Sequence, residues 1–173
     1  LLAGDDPVRL QAVAETWVRL GRIDRAYAAL GQASAGTAQG EADLALRVAR
    51  LQLQARDGER LEAQLAAIGA RSGLTPAQRA QLAELRVKAD LLAAEQLRDS
   101  GRAEQALARV ERIADANADA RRVRELRAEL LLAQGRAKEA VPLYEALLRE
   151  APDDVDLRFG YVKALMEAGD RAA

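Results

Sequence analysis

Apolar residues recur every three or four positions along most of the chain, which is the spacing that places them on one face of an α-helix. Segment 76–99 carries two such sets, on two faces of the same predicted helix: Leu82, Leu85, Ala89 and Leu92 on one, and Val87, Leu91, Ala94 and Leu97 on the other. A helix that is apolar on two sides is usually enclosed between neighbours. We therefore expect this long helix to pack between other helices, with Thr75 as its N-terminal cap.

The pattern predicts nine helices and no strand. Ala, Leu, Arg and Glu dominate the sequence and are good helix formers, whereas Val, Ile and Thr are sparse. The predicted helices cover residues 7–19, 22–33, 40–56, 59–70, 76–99, 102–115, 118–134, 137–149 and 154–168. The fold class is therefore all-α.

Glycine followed five residues later by alanine repeats along the chain. The pairs are Gly21/Ala26, Gly58/Ala63, Gly101/Ala106 and Gly135/Ala140, and Gly169 begins a fifth turn. Glycine adopts the left-handed conformation that ends a helix, and small residues allow two helices to approach closely. These five glycines are therefore predicted to be the structural turns of successive helix hairpins.

The clearest repeat, at 121–154, contains "RAELLLAQGRAKEAVPLYEALLREAPDD" with Ala128, Gly135, Ala140, Tyr144 and Pro152. In these positions the chain resembles the tetratricopeptide repeat (TPR) family. The resemblance implies a TPR-like α-solenoid of antiparallel helix hairpins with a right-handed superhelix and about four and a half repeats. We expect a single array over 1–173, with units at 7–40, 41–75, 76–120 and 121–154 and a truncated unit at 155–173.

In TPR arrays the first helices of successive units line a groove that binds partners. The resemblance carries this role over to Gln11, Glu15, Val48, Gln52, Leu91, Glu95, Arg98, Arg122, Glu125, Glu129, Phe159 and Lys163. It also implies that Trp17, Tyr27 and Tyr144 are core residues between helices. The cluster Arg121, Arg122, Arg124 and Arg127 has two interpretations: ion pairs with nearby acidic residues, which we favour, or a patch that receives an acidic partner segment.

Composition argues against several functions. The chain has no Cys and no His, which removes the commonest metal ligands and general base, so we expect no cofactor, no metal and no enzymatic activity. The net charge of −1 disfavours nucleic-acid binding. No apolar run approaches the ~20 residues that cross a bilayer, so we expect no membrane insertion.

Two classes of function remain open, and both involve protein partners. The Ala- and Arg-rich stretch from Leu74 to Ala114 is similar to the TPR region of bacterial cellulose synthase complexes and of related exopolysaccharide-export proteins. That resemblance implies a periplasmic scaffold whose partners are polysaccharide synthase components or peptidoglycan-associated proteins. The alternative is a cytoplasmic adaptor or regulator that binds a peptide.

The sequence at the two ends of the chain is typical of a fragment of a longer repeat array. Because the chain begins without Met and ends just after Gly169, we expect a piece of a longer array that can self-associate through its ends. The last helix then has no partner helix of its own. We therefore expect its apolar face, with Leu157, Val162 and Leu165, to be partly exposed.

Overall fold

Nine α-helices make up the described part of the computed structural model, which covers residues 7–20, 22–31, 38–114 and 120–169. These ranges contain no strand, and the predicted all-α class is confirmed. The helices are α1 (Pro7–Arg19), α2 (Ile23–Gly31), α3 (Ala38–Gln54), α4 (Gly58–Gly69), α5 (Pro76–Asp99), α6 (Ala103–Ala114), α7 (Ala120–Ala133), α8 (Ala137–Glu150) and α9 (Val155–Ala168). Within the same ranges, none of the helices is both long and apolar enough to span a membrane.

Two compact units divide the chain, Leu1–Ala89 and Asp90–Ala173, and the boundary falls inside α5. In the first unit, α1 packs with α2 and α3 packs with α4, and α3 also contacts α1 and α2. In the second unit, α7 packs with α6 and α8, and α8 packs with α9. The single array over 1–173, its five predicted unit bounds and the handedness of its superhelix stay predictions.

Small residues lie where consecutive helices meet. Ala14, Ala94 and Ala128 are completely buried in the first helices of their hairpins. Ala26, Ala106 and Ala140 are completely buried in the second helices. Because alanine carries a single methyl group, the two helix backbones of each hairpin can approach more closely than larger side chains would allow.

Glycine corners close two hairpins in the second unit. Gly101 and Gly135 have φ values of 76° and 71°, in the left-handed region that other residues disfavour. The next residue then donates its backbone N–H to a carbonyl five positions back, from Arg102 to Leu97 at 2.8 Å and from Arg136 to Leu131 at 2.9 Å. Gly169, with φ 90°, ends α9 in the same conformation.

The second predicted corner glycine is corrected by the structure. Gly58 is the first residue of α4, and the left-handed residue at this corner is Arg56, with φ 55°. Asp57 donates its N–H to the carbonyl of Gln52 at 2.9 Å, so the hydrogen bonding is that of the glycine corners. Counted from Arg56, the small residue seven positions earlier is Ala49, which is completely buried. Gly21 lies outside the described residues.

The start of α5 is held by a reciprocal pair of hydrogen bonds. The N–H of Gln78 donates to Oγ1 of Thr75 at 3.2 Å, and the N–H of Thr75 donates to Oε1 of Gln78 at 3.0 Å. This is a capping box, which satisfies two backbone donors that the helix itself cannot. Gln78 is buried, and its Nε2 donates to Asp43 of α3 at 2.7 Å, so the cap also ties α5 to α3.

Candidate functional site

Five of the predicted groove residues come together in the second unit, on the end of α5 and on α7. Glu95 accepts hydrogen bonds from Arg122 Nη2 at 3.0 Å and Nε at 3.2 Å. Arg98 Nη1 donates to Glu129 at 2.6 Å. Arg122 also reaches Glu125 at 3.4 Å. We call this set, together with Asp154 and Asp156 at the start of α9, the charged face.

The arginine cluster at the start of α7 pairs with acidic residues. Arg121 donates to Glu125 at 2.7 Å and to Asp154 at 2.9 Å. Arg124 forms two hydrogen bonds with the Glu150 carboxylate, at 2.8 and 2.9 Å. These contacts confirm the interpretation of the cluster as ion pairs. The fourth member, Arg127, differs, because its Nε is buried and has no hydrogen-bond partner among the described residues.

Partial burial and ion pairing act in opposite directions on the arginines of the charged face. Burial alone lowers the pKa of Arg122, but the hydrogen bonds and charge of Glu95, with a further hydrogen bond to Glu125, outweigh it, so the pKa is raised. At Arg98, burial likewise lowers the pKa, but the hydrogen bonds and charges of Asp99 and Glu129 raise it by more, so the pKa is again raised. Both side chains therefore stay charged, and each is held in place by two carboxylates.

A cavity of about 190 Å³ opens on the charged face. It is lined by Arg122, Glu125, Glu129, Tyr144, Asp154, Asp156 and Leu157. Tyr144, on α8, is only 4% exposed. Burial, together with the negative charge of Glu129, raises the pKa of Tyr144 to about 12, so the phenol is neutral at physiological pH.

Helix α9 closes one side of this cavity because α8 and α9 approach closely. Gly160 has no side chain to separate the helices, and the Tyr144 ring lies directly against it. Nearby, the hydroxyl of Tyr161 donates to Glu145 of α8 at 3.1 Å. The side chain of Asp154 accepts from the N–H of Leu157 at 3.2 Å and so caps α9. These contacts fix the cavity wall.

The remaining predicted groove residues do not belong to the charged face. Gln52 is 5% exposed, and its Oε1 has no hydrogen-bond partner among the described residues, so the structure does not present it on a surface. Val48 packs against the cluster of Ala14, Ala26, Ala29 and Leu51. Glu15 and Leu91 are half-buried, Phe159 and Lys163 are exposed, and the side chain of Gln11 lies outside the described residues.

Sequence reasoning missed four of the residues that line the cavity, namely Tyr144, Asp154, Asp156 and Leu157. Tyr144 was predicted to be a core residue, and it is buried, but it also lines the cavity. Asp156 stands 34 residues after Arg122, which is the spacing of the last two predicted corners. Extending the groove position of Arg122 by one repeat would therefore have found Asp156.

A comparison with family models bears on this part of the chain. Residues 131–173 match the tetratricopeptide repeat family. This match covers α8 and α9 and supports the TPR resemblance there. No curated protein and no solved structure matches the chain.

The TPR match indicates a protein–protein interaction scaffold, since helical repeats of this kind typically bind proteins rather than catalyse reactions. Among the described residues, no group of three or more acidic side chains is close enough to hold a metal ion. The expectation that the chain needs no cofactor stays a prediction. The charged face offers fixed ion pairs beside a small cavity, which suits recognition of a polypeptide segment.

An apolar stripe lies on α9, on the side away from its buried residues. Val155, Phe159, Val162 and Met166 are 53–73% exposed, whereas Leu157 and Ala164 are buried. The sequence predicted an exposed apolar face on this helix, with Leu157 in it. The structure corrects that residue, because Leu157 is 6% exposed.

The first unit contains a larger and more open cavity of about 1160 Å³, near the starts of α2 and α4. Its lining is polar, and none of the predicted groove residues belongs to it. The lining residues are Arg22, Asp24, Arg25, Ala55, Asp57, Glu59, Arg60 and Ala63. Arg60 lies 3.8 Å from Asp24 and 3.6 Å from Asp57, and Arg25 stacks over the Trp17 ring at 4.9 Å. These charges pair with one another across the cavity edge.

Proposed function

We propose that this chain is a non-catalytic scaffold that binds a protein partner through the charged face. The observation that carries the proposal is the 190 Å³ cavity, because predicted groove residues of α7 line it together with the start of α9. Residues on different helices thus present one surface to a partner.

The charged side chains of this face are held in place before any partner arrives. Glu95 and Glu125 have side chains only 15% and 16% exposed, and each is bonded to arginine. A partner therefore meets a surface whose side chains have already lost much of their freedom. Such preorganisation lowers the entropic cost of binding.

Charge reversal on the face tests the proposal. Partner capture from extracts of the source cells should be lost with Glu95→Lys and with Arg122→Glu. The matched control is Glu104→Lys on α6, an exposed acidic residue away from the cavity. Capture by the control should equal that of the unchanged protein.

A charge swap separates lost binding from lost folding. The double variant Glu95→Arg with Arg122→Glu keeps an ion pair between the two positions but reverses its direction on the surface. We expect this variant to unfold at nearly the same urea concentration as the unchanged protein and still to lose its partner. Retention of the partner by the swap and both single variants would contradict the proposal.

The finer form of the proposal places the chain in the periplasm, in a bacterial exopolysaccharide synthesis and export complex of the cellulose type. Its support is the Ala- and Arg-rich pattern of the stretch from Leu74 to Ala114, which by sequence pattern alone resembles the TPR region of bacterial cellulose synthase complexes. The alternative is a cytoplasmic adaptor or regulator. The full reading frame decides between them: an export signal and an outer-membrane segment favour the first, and a DNA-binding or kinase domain favours the second.

A further inference from the structure

The cavity on the charged face has walls of a definite chemistry. Four of its seven lining residues are carboxylates, namely Glu125, Glu129, Asp154 and Asp156, and one is a cation. We propose that this cavity receives a basic side chain, lysine or arginine, from the partner protein. The inference rests on the proposed function, because it assigns a ligand chemistry to the same face.

The arginines of the chain do not neutralise this site. Glu125, Glu129 and Asp154 are bonded to Arg121, Arg122 and Arg98, but Arg98 is shared with Asp99 and Arg122 is shared with Glu95. Asp156 is exposed and forms no ion pair among the described residues. The site therefore keeps an excess of negative charge, which attracts a cation and repels an anion.

Tyr144 is a second, independent feature that points to a cationic ligand. Only 4% of its surface is exposed, yet it lines the cavity, and it has no hydrogen-bond partner among the described residues. The hydroxyl opens onto the cavity, where a ligand that donates a hydrogen bond can take the place of water. Ammonium and guanidinium groups donate hydrogen bonds, and both also interact favourably with an aromatic ring.

The site is built before the ligand enters. Asp154 is held by the N–H of Leu157 and by Arg121, and Tyr144 is held against Gly160. A basic side chain would therefore meet a carboxylate, a phenol and an apolar wall in fixed positions. A fixed acceptor set of this kind favours a charged donor over a neutral side chain of the same shape.

Solution NMR with a small probe tests the inference on the folded chain. The probe is N-acetyl-arginine amide, and the control is N-acetyl-citrulline amide, which has nearly the same shape but no charge. We expect saturable chemical-shift changes at the backbone amides of Asp156, Leu157 and Gly160 with the arginine compound. The citrulline compound should give shifts at least fivefold smaller at the same concentration.

Three variants locate the binding. Asp156→Asn and Tyr144→Phe should each weaken the arginine titration at least threefold, while circular dichroism confirms that both remain helical. The matched control is Asp153→Asn, because Asp153 is also exposed but lies outside the cavity, paired with Arg158 at 3.0 Å. This control should titrate like the unchanged protein.

The outcomes distinguish this inference from the proposed function. Equal shifts with arginine and citrulline, or no saturable shift with arginine, would overturn the cationic ligand. If partner capture is still lost on charge reversal of Glu95 in that case, the scaffold role stands and only the ligand chemistry is wrong. A titration that survives both Asp156→Asn and Tyr144→Phe would also overturn the inference.

Discussion

The ring of Tyr144 in α8 packs directly against the backbone of Gly160 in α9, because Gly160 has no side chain to separate them. A Cβ atom at position 160 would lie 2.6 Å from Cε1 of Tyr144 and 2.8 Å from its hydroxyl oxygen, well inside van der Waals contact. The contact places the phenol at the edge of the charged face. Any larger residue at position 160 must displace either the ring or the helix.

The first prediction concerns this contact. Gly160→Ala should lower the free energy of unfolding by about 1 to 3 kcal/mol, because the added methyl group overpacks the interface. The sign is informative, since alanine by itself favours a helix over glycine by about 1 kcal/mol. Urea unfolding followed by circular dichroism measures the change.

The matched control for Gly160 is Gly69, the last residue of α4. A Cβ there would meet the terminal guanidinium of Arg86, which is flexible and can move aside. Gly69→Ala should therefore not lower the free energy of unfolding, and the helix preference of alanine can raise it by up to about 1 kcal/mol. Equal losses from the two substitutions would contradict the account given for Tyr144.

The second prediction concerns pH. Burial raises the pKa of Tyr144 from its ordinary 10.0 to about 12, so deprotonation is harder in the folded state than in the unfolded chain. The resulting stabilisation is complete below pH 10 and is lost as pH rises through 12, with a size of about 2 to 3 kcal/mol. The free energy of unfolding should therefore fall more steeply above pH 10 in the unchanged protein than in Tyr144→Phe. If the free energy of unfolding falls equally steeply above pH 10 in both proteins, the raised pKa of Tyr144 is contradicted.

The third prediction tests the position of the second hairpin corner. Gly135→Ala should lower the free energy of unfolding by about 1 kcal/mol, because φ at this corner is 71°, in the left-handed region. Gly58→Ala should cost less than about 0.5 kcal/mol, since Gly58 begins a helix and has no positive φ. Urea unfolding measures both changes. A large loss of unfolding free energy in Gly58→Ala would show that Gly58 forms the second corner, as the sequence predicted.

The fourth prediction concerns the ion pair between Glu95 and Arg122. A double-mutant cycle with Glu95→Gln and Arg122→Gln should give a coupling free energy of about 0.5 to 1 kcal/mol at low salt, and less in about 1 M salt. The control cycle uses Lys163 and Glu167, which are 3.9 Å apart and more exposed. Its coupling should be below about 0.3 kcal/mol. Equal coupling in the two cycles would show that burial adds nothing to the pair.

The success of sequence reasoning differed between local and distant features. Thr75 was expected to cap α5, and the capping box confirms it, because the two partners are three residues apart. Gln52 was placed in the groove by repeat position alone, and the structure buries it. Both errors have one origin, because counting from Gly58 places the corner two residues after Arg56, which forms it.

The order of the nine described helices and the left-handed turns at Gly101, Gly135 and Gly169 were determined by the sequence itself. Helix propensity, apolar spacing and glycine's freedom at positive φ all act over a few neighbouring residues, so they can be read without coordinates. The tertiary structure alone decided that Arg56 turns the second hairpin and that Tyr144, Asp154 and Asp156 share one cavity. Those outcomes depend on which side chains meet when separate helices pack, and that is set by shape and burial across the unit rather than by local spacing.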